Sequence, residues 1–503
     1  MEVSCVRMYA YQTEAVEWMK LREQDMLTPG GFLCHEMGLG KTHMMSALID
    51  SNAGRTLLLT TKSTLQGWAD TLRTYSKFKY DVRILDTEWE IGSRPTVLIS
   101  THHSVFNHAE WYRSQRFDRI VVDEAHVMRN AGSMFRACVD IAATTRFRWG
   151  ITGTPFNNKD SDMVAYMRFL RPDTPLPAAA FKHFFLRKLR GDVIRNALPL
   201  IVTKMVYDFE SEAEKAMYDY VSGRIDASND WIARNVNIVP WRQRGQMAAT
   251  LSLRKRQAAI HPQLVLNSEK VWAAQMPAHL QTVGEWNPSN VTKANKIVEL
   301  VKKDRKARKS TMIVTHFAEE MRLLKDRLIQ EGITPLTLDG KTTVKARRGL
   351  ETYNKGLSLQ HTTLMLDSIM RQKTIHGLNL SIGEGEYVRQ NYLPEDCINI
   401  IAGFVASPTV ILLQIQAGGV GISLPWVHHV INASPDWNPF LEQQSIYRAY
   451  RVNTPHPVSV TSMYFRDTID VTIQERQKQK MERAAEWLGD SAQSISAFVA
   501  MPA

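Results

Sequence analysis

Short runs of apolar residues alternate with helix-length segments through the first third of the chain. The apolar runs are rich in Leu, Val and Ile: "GFLCHE", "RTLLLTT", "PTVLIST", "RIVVDEAH" and "RFRWGITGTP". Continuous apolar runs of this kind are typical of strands buried on both faces of a parallel sheet, and the segments between them, such as "STLQGWADTLRTY", have the length of helices. The pattern predicts an α/β domain built on a parallel sheet.

The pattern changes twice further along the chain. Between about residues 169 and 293 the sequence is basic and rich in Met, Trp and Gln, and segments such as "EAEKAMYDYVSGRI" carry apolar residues at helical spacing. Apolar runs return in "TMIVTHF", "TVILLQI", "HHVINAS" and "VSVTSMYF". We therefore predict an α/β fold with two parallel-sheet lobes, at residues 1–170 and 293–480. A helical insertion and linker at 171–292 joins them, and a tail follows at 481–503.

Composition narrows the class of protein. Of the 503 residues, 44% are hydrophobic and 22% charged, which suits a globular protein with more than one domain. The chain has 62 Lys and Arg against 51 Asp and Glu, and its formal net charge of +11 favours a polyanionic partner such as nucleic acid. The cysteines are scattered without metal-ligand spacing, the first residues do not resemble a secretory signal, and no apolar run has the ~20 residues that cross a bilayer. These features predict a soluble intracellular protein.

The segment "HEMGLGKTHM" joins the first apolar run to a helical stretch. Gly38, Gly40, Lys41 and Thr42 form the pattern G-x-G-K-T in it. Glycines let backbone N–H groups wrap phosphates, a lysine can reach the β- and γ-phosphates of a nucleotide, and a threonine hydroxyl can bind Mg²⁺. The full pattern would place glycine at position 35, where this chain has His35, so the segment by itself also fits a simple glycine turn.

Two adjacent acids, Asp123 and Glu124, end the apolar run "RIVVDEAH". This position predicts that they lie at the carboxyl end of a buried strand, where α/β sheets bind ligands. We expect Asp123 to bind Mg²⁺, through water, and Glu124 to orient and deprotonate an attacking water. An isolated acid pair at a strand end is more often a solvated loop, but its position after G-x-G-K-T favours a nucleotide site.

The second lobe offers glycines and arginines. Gly418, Gly419 and Gly421 in "QAGGVGISL" would let the backbone approach a phosphate or a neighbouring lobe closely. Arg448 and Arg451 stand three positions apart and, if this segment is helical, would share one face of the helix. Guanidinium groups suit the charge of a phosphoryl group in transfer. Two arginines alone would usually form a solvated helix face, but their position after a glycine-rich strand exit favours a role in phosphoryl transfer.

Taken together, the motifs resemble those of superfamily-two helicases, and more narrowly of the SWI/SNF-type DNA-dependent ATPases, over nearly the whole chain. "MYAYQTEAVEWM" is similar to that family's opening "LRPYQ..GV.WM", "HEMGLGKT" to "DEMGLGKT", "DEAHVMRN" to "DEAH.LKN", "TGTPFNN" to "TGTP.QN", and "YRAYRVNTPHPVSV" to "DRAHRIGQ..PV.V". The resemblance implies two RecA-like lobes that form an ATP cleft with a helical insertion between them. It also implies ATP and Mg²⁺ as cofactors and double-stranded DNA, mainly its phosphate backbone, as the partner.

The resemblance also assigns roles to residues. It implies that Gln12 reads adenine and that Arg448 and Arg451 are arginine fingers. The residues that it implies for nucleotide binding are Gly38, Leu39, Gly40, Lys41, Thr42 and Gly421. "TTKSTLQGW" and "STHHSV" correspond to segments that touch the DNA backbone. The residues implied for DNA binding are Lys62, Ser63 and Thr101, with Gly418 and Gly419 in the second lobe.

The chain departs from the family pattern in three places. His35 replaces the usual Asp, residues 414–416 in "LLQIQAGG" replace the hydroxyl pair and basic residue of "LLSTRAGG", and an extra segment lies around 355–390. These departures bear on the coupling of ATP turnover to DNA more than on ATP binding. The tryptophans Trp18, Trp68 and Trp437 are expected in the core rather than as base-stacking platforms.

Three functions remain open from the sequence. The favoured one is an ATP-driven translocase on double-stranded DNA that remodels protein–DNA complexes, with DNA-bound proteins as further partners. A strand-separating helicase would share every motif, and a DNA-binding regulator with a degenerate ATPase fold would explain the substitutions at 35 and 414–416. The size and motif variants resemble baculovirus members of the family most, which implies a viral protein that acts in transcription in the host nucleus.

Overall fold

The computed structural model describes residues 8–52, 54–76, 81–85, 96–128, 132–156, 161–194, 198–235, 240–268, 286–340, 342, 409–416, 422–451, 454 and 456–489. The chain divides into two compact units. Unit 1 comprises residues 1–197 and 480–496, and unit 2 comprises residues 198–479 and 497–503. The extra segment predicted around 355–390 lies outside the described residues.

Unit 1 is built on a seven-stranded sheet whose paired strands are all parallel, in the order β3-β4-β2-β5-β6-β1-β7. The strands are β1 (Gly30–Leu33), β2 (Thr56–Thr60), β3 (Asp81–Ile84), β4 (Thr96–Thr101), β5 (Arg119–Asp123), β6 (Phe147–Ile151) and β7 (Phe185–Leu186). All residues of β1 and β2 are buried, which explains their continuous apolar runs. β5 lies between β2 and β6, so Asp123 ends a central strand.

Helices connect the strands of unit 1, as crossovers between parallel strands require. They are Ala10–Glu23, Lys41–Ser51, Leu65–Ser76, His102–Asn107, Ala109–Ser114, Ser133–Ala143, Ser161–Leu170, Phe181–Phe184 and Arg190–Val193, with 3₁₀ turns at Ala125–Met128 and Ala178–Ala180. The parallel α/β architecture predicted for the front of the chain is confirmed.

An aromatic cluster lies beside β1. The ring centroid of Phe32 is 4.8 Å from that of Tyr166 and 5.4 Å from that of Phe181. The neighbouring strand β6 carries Gly150 opposite this ring, where a Cβ atom would lie 2.3 Å from Phe32. Glycine at position 150 therefore lets Phe32 lie close against the sheet.

Unit 2 contains a six-stranded sheet, also parallel at every pairing, in the order β10-β11-β9-β12-β13-β8. The strands are β8 (Leu200–Tyr207), β9 (Thr311–Thr315), β10 (Leu336–Leu338), β11 (Val410–Gln414), β12 (His429–Asn432) and β13 (Val458–Phe465). The helices are Glu212–Arg234, Trp241–Ile260, Pro262–Ser268, Thr292–Lys306, Ala318–Gln330 and Pro439–Ala449, with a 3₁₀ turn at Pro288–Asn290. A further helix, Ile469–Leu488, begins in unit 2 and ends among the residues assigned to unit 1. None of the helices that the structure describes has the length and apolar character needed to cross a bilayer.

The segment 171–292 is not wholly helical, which corrects the sequence-based prediction. It contains β7 and β8, and β8 pairs with β13 along its full length. β8 is an edge strand in which no residue is fully buried, and Thr203 and Lys204 interrupt its apolar run. The continuous apolar signal of a central strand is therefore missing. The helices Glu212–Arg234 and Trp241–Ile260 follow the predicted helical spacing.

A buried ion pair joins helix Ala10–Glu23 to the start of β5. The side chains of Glu23 and Arg119 are 5% and 1% exposed. Arg119 donates from Nε and Nη2 to the two carboxylate oxygens of Glu23 at 2.7 and 2.8 Å. Trp149 Nε1 and Asn52 Nδ2 donate to the same carboxylate at 3.0 and 2.9 Å. Four elements of unit 1 therefore meet at one side chain.

Replacing Glu23 by Ala should lower the free energy of unfolding by about 3–5 kcal/mol, because Arg119 would remain buried without its carboxylate. Urea unfolding followed by circular dichroism measures the loss. Glu17→Ala is the control: Glu17 also pairs with a cation, Lys20, but its side chain is 60% exposed, so little change is expected. Equal effects of the two substitutions would contradict the structural role of the buried pair.

Candidate active site

The loop between β1 and helix Lys41–Ser51 has the backbone shape of a phosphate cradle. Gly38 and Gly40 have φ angles of 81° and 82°, in the left-handed region that favours glycine, and Gly40 is the N-cap of the helix. The first turn of a helix presents backbone N–H groups without intrahelical partners, and these groups attract anions. Thr42 is the second residue of this helix, where its hydroxyl can reach a metal bound to phosphates.

Helix Ala10–Glu23 holds this loop from one side. Gln12 Nε2 and the Tyr11 hydroxyl each donate to the carbonyl oxygen of Leu39 at 3.1 Å. Gln12 Oε1 accepts from the backbone N–H of Tyr9 at 3.0 Å. A Cβ atom on Gly40 would lie 2.5 Å from Gln12 Nε2, so the missing side chain at position 40 makes room for the amide. Gln12 therefore contacts the glycine loop directly, and its role in reading adenine stays a prediction.

The amino group of Lys41 is turned into the loop. Its Nζ donates to the carbonyl oxygens of His35 and Glu36 at 2.7 and 3.0 Å. Burial lowers the pKa of Lys41 to about 8, and the charges of Glu124 and Asp123 act against that decrease. The lysine is thus mostly protonated at neutral pH and lies within the field of the predicted metal ligand Asp123 and the predicted general base Glu124.

Asp123 is held by three donors at the end of β5. Its Oδ2 accepts from Thr60 Oγ1 at 2.8 Å and from Trp68 Nε1 at 2.7 Å, and its Oδ1 accepts from the backbone N–H of Glu124 at 3.0 Å. Burial raises the pKa of the Asp123 carboxyl to about 6, with a further contribution from the charge of Glu124. Hydrogen bonds from Trp68 and Thr60 lower it, so they favour the ionised form that binds cations.

Glu124 has an unusual backbone conformation. Its φ angle is 50°, which is costly for a residue with a side chain and occurs often at functional sites. Its Oε2 lies 3.1 Å from His126 Nδ1. The strand therefore ends in a turn that directs two neighbouring carboxyl groups differently: Asp123 toward β2, and Glu124 toward His126.

The residues predicted to contact DNA in unit 1 lie at neighbouring strand ends. β2 and β4 are paired so that Thr60 is opposite Thr101, and Lys62 and Ser63 follow β2 directly. Lys62 is exposed. Thr101 Oγ1 accepts from the backbone N–H of Ser104 at 3.0 Å and so caps helix His102–Asn107. β2 is the neighbour of β5, the strand that carries Asp123, and β4 lies one strand further away.

The predicted arginines of unit 2 do not share a helix face. Helix Pro439–Ala449 contains Arg448, but it ends before Arg451, because Tyr450 takes an extended conformation. The condition for a shared helical face, a helix that includes both residues, is therefore not met. Arg451 Nη2 donates to the carbonyl oxygen of Ile422 at 3.0 Å. The backbone N–H of Leu424 donates to the carbonyl oxygen of Arg448 at 2.7 Å.

These bonds tie both arginines to the segment that follows the predicted glycine-rich loop. Gly418, Gly419 and Gly421 themselves lie outside the described residues. Of the substituted residues, Ile415 is buried, Gln414 half-buried and Gln416 exposed.

Comparison of the sequence with known protein families gives two matches. The SNF2-related domain model matches residues 11–218, and the helicase conserved C-terminal domain model matches residues 358–453. The chain belongs to the SNF2-related ATPase family. It is 24% identical over 511 residues to the probable global transactivator of Orgyia pseudotsugata multicapsid polyhedrosis virus, covering 94% of this chain and 89% of that protein. The viral resemblance predicted from the motif variants is confirmed.

Cellular relatives of this SNF2-related ATPase are longer. It is 23% identical to the ISWI chromatin-remodeling complex ATPase ISW2 of Saccharomyces cerevisiae, over 94% of this chain but only 40% of the relative. Among solved structures, the Sulfolobus solfataricus SWI2/SNF2 ATPase core in complex with dsDNA covers 99% of this chain and 98% of that chain, at 18% identity and a TM-score of 0.38.

Arg187 of this SNF2-related ATPase was not singled out from the sequence. Its Nη1 donates to the carbonyl oxygens of Cys34 and Gly153 at 2.9 and 3.3 Å. A Cβ atom on Gly153 would lie 2.6 Å from Met37 Cγ and 3.5 Å from Lys41 Nζ. Arg187 thus links β1 to the "TGTP" segment beside the phosphate loop. It lies in the segment "LRKLRGDV", whose sequence does not indicate that Arg187 contacts these carbonyl oxygens.

His35 occupies the family's aspartate position without its charge. The side chain is fully buried, and burial, followed by the charge of Lys41, lowers the pKa of His35 to about 3. The imidazole is therefore neutral at physiological pH. In this SNF2-related ATPase, Asp123 and Glu124 remain as acidic groups whose charges act on Lys41.

Gly40→Ala should destabilise the enzyme by about 1–2 kcal/mol from the left-handed backbone alone. The contact with Gln12 Nε2 adds to this, so Gln12→Ala should recover part of the loss in the double variant. Urea unfolding of the two single variants and the double variant measures this coupling. Gly223→Ala, in an open position of helix Glu212–Arg234, is the control and should be neutral or slightly stabilising. Strict additivity at positions 12 and 40 would contradict the contact.

Proposed function

We propose that this protein is an ATP-dependent translocase on double-stranded DNA that remodels protein–DNA complexes. One observation supports it most. The candidate nucleotide residues follow β1 and β5, and the candidate DNA residues lie at the ends of β2 and β4, so both sets lie at the carboxyl ends of the strands of unit 1. Thr60 joins the two sets by its bond to Asp123. A motor needs this proximity, because DNA contact must alter the chemistry of the nucleotide.

The residues of unit 1 fit ATP and Mg²⁺. The loop Gly38–Leu39–Gly40 and the N-terminus of helix Lys41–Ser51 suit a triphosphate, with Lys41 as the cation and Gln12 beside the loop for the adenine. Thr42 and Asp123 offer the oxygen ligands that Mg²⁺ prefers. A carboxylate can accept about four bonds, and three protein donors already bind Asp123, so about one position remains for a cation. Mg²⁺ held there would neutralise charge on the phosphates.

Catalysis is assigned to Glu124 and two arginines. Glu124 would orient the attacking water and accept its proton, since it follows Asp123 directly yet takes a different direction. Arg448 and Arg451 would stabilise the charge of the phosphoryl group in transfer, and Gly421 would let the backbone approach the nucleotide. Arg451 donates to the carbonyl oxygen of Ile422, and Leu424 N–H donates to the carbonyl oxygen of Arg448, so both arginines are bonded to the segment that follows the glycines.

DNA binding is assigned to backbone contacts. Lys62, Ser63 and Thr101 in unit 1, with Gly418 and Gly419 in unit 2, would touch phosphates rather than bases, so binding should depend on salt and little on sequence. The net charge of +11 agrees with such a partner. Because the viral relative is named a probable global transactivator, we propose a role in transcription of a viral genome in the host nucleus.

Lys41→Ala and Glu124→Gln should each reduce DNA-stimulated ATP hydrolysis by about 10²-fold or more, since they remove a phosphate-binding cation and a general base. Glu124→Gln preserves shape, so it should retain nucleotide binding. Phosphate release with and without duplex DNA measures turnover, and Glu17→Gln, an exposed acid, is the control. Normal turnover in either active-site variant would refute the assignment and favour a DNA-binding regulator, the alternative suggested by His35 and residues 414–416.

Translocation and strand separation give different products on two substrates. A translocase that follows one strand of an intact duplex should displace the third strand of a triplex in an ATP-dependent manner without unwinding a forked duplex. Gel electrophoresis of the labelled strands measures both reactions, with Lys41→Ala as the inactive control. Efficient unwinding of the fork would instead establish the strand-separating helicase.

A further inference from the structure

Three side chains connect Asp123 to the ends of β2 and β4. Thr60 and Trp68 donate to its Oδ2 at 2.8 and 2.7 Å. His102 Nε2 lies 2.8 Å from the carbonyl oxygen of Asp123 and must donate to it, because a carbonyl oxygen only accepts. Burial lowers the pKa of His102 to about 4, so the ring is neutral and holds this bond without adding charge. Both predicted DNA-contacting segments are thus bonded to the predicted metal ligand.

A chain of hydroxyl groups continues from Asp123 into the segment after β2. Thr60 Oγ1 lies 2.6 Å from Thr64 Oγ1, which lies 2.9 Å from Thr61 Oγ1, and Thr61 Oγ1 lies 3.0 Å from Ser63 Oγ. Ser63 is a candidate DNA contact. Hydroxyl groups donate and accept, so a phosphate that binds Ser63 can reorient each member of the chain in turn.

Trp68 differs from these hydroxyls because it is rigid and donates only. Its side chain is 2% exposed, and its indole N–H cannot exchange roles with the carboxylate. Its backbone N–H donates to the carbonyl oxygen of Thr64 at 3.0 Å, at the start of helix Leu65–Ser76. A displacement of residues 61–64 therefore moves the start of this helix, and the indole N–H moves with it.

We propose that Trp68 is a positioning residue that holds the Asp123 carboxylate for Mg²⁺ and couples its orientation to the segment 61–64. This inference rests on the proposed function. Trp68 is buried in the core, as expected from the sequence, and its indole N–H in addition orients the Asp123 carboxylate. Loss of the N–H should leave the phosphate loop intact and weaken only the metal-dependent part of nucleotide binding.

The test compares two tryptophans of unit 1 whose indole N–H groups donate to buried carboxylates. Trp68→Phe removes the bond to Asp123, and Trp149→Phe removes the 3.0 Å bond to Glu23, which lies away from the nucleotide residues. Binding of a fluorescent, non-hydrolysable ATP analogue is titrated in Mg²⁺ and in EDTA, each with and without duplex DNA. Thermal unfolding of both variants controls for stability.

Trp68→Phe should reduce the Mg²⁺-dependent gain in affinity by about 10-fold, because a hydrogen bond to a charged group is lost, and should leave affinity in EDTA unchanged. The factor by which DNA changes nucleotide affinity should fall toward one, and by linkage so should the effect of nucleotide on DNA affinity. Trp149→Phe should change neither quantity. If Trp68→Phe does not fold, Thr60→Val, which removes the other donor to Oδ2, carries the same expectation.

If Trp68→Phe and Trp149→Phe change the Mg²⁺-dependent gain in nucleotide affinity equally, the inference is overturned, but the proposed translocase function is not affected. If wild-type ATP turnover is indifferent to duplex DNA, the translocase fails instead. The Mg²⁺ titration would then still decide whether Trp68 positions Asp123.

Discussion

A carboxylate buried at the end of a strand must be surrounded by donors and cations, and this requirement organises unit 1. Burial raises the pKa of Asp123 to about 6, so the ionised form persists only because neighbouring groups offset the loss of water. Those groups come from β2, from helix Leu65–Ser76 and from the residue that follows Asp123 itself. The nucleotide residues and the segment after β2 therefore cannot be arranged independently.

Close packing around the phosphate loop is the second constraint. Gly40 and Gly153 lack side chains where Gln12 and Met37 approach, so the loop is enclosed by helix Ala10–Glu23 and by the segment after β6. Arg187 adds bonds to backbone carbonyls at the same place. A loop held from several sides is preorganised for its ligand, and less ordering entropy is lost on binding. His35, whose carbonyl oxygen accepts from Lys41, is fully buried and neutral, so this variant position removes a charge without exposing the site to solvent.

The sequence predicted those parts of the molecule that local pattern determines. Buried central strands have continuous apolar runs, and the glycines of the phosphate loop are required by its backbone, so the two parallel sheets and the Gly38–Thr42 loop could be predicted. β8 could not, because an edge strand lacks the apolar run, nor could the end of helix Pro439–Ala449 before Arg451. The contacts of Trp68 and Arg187 depend on residues 55 and 153 positions away in the chain, which no local pattern encodes.

The pairing of β8 with β13 has a consequence for synthesis of the chain. Leu200 lies opposite Val458, so this edge of the second sheet closes only after more than 250 further residues have left the ribosome. The strands of the first sheet, by contrast, all lie between Gly30 and Leu186. Domains tend to fold in the order in which they emerge, and distant pairings form slowly. β8 would therefore have no partner strand until β13 is synthesised, although the first sheet is already complete. During that interval the nascent chain can misassociate through the unpaired backbone groups of β8.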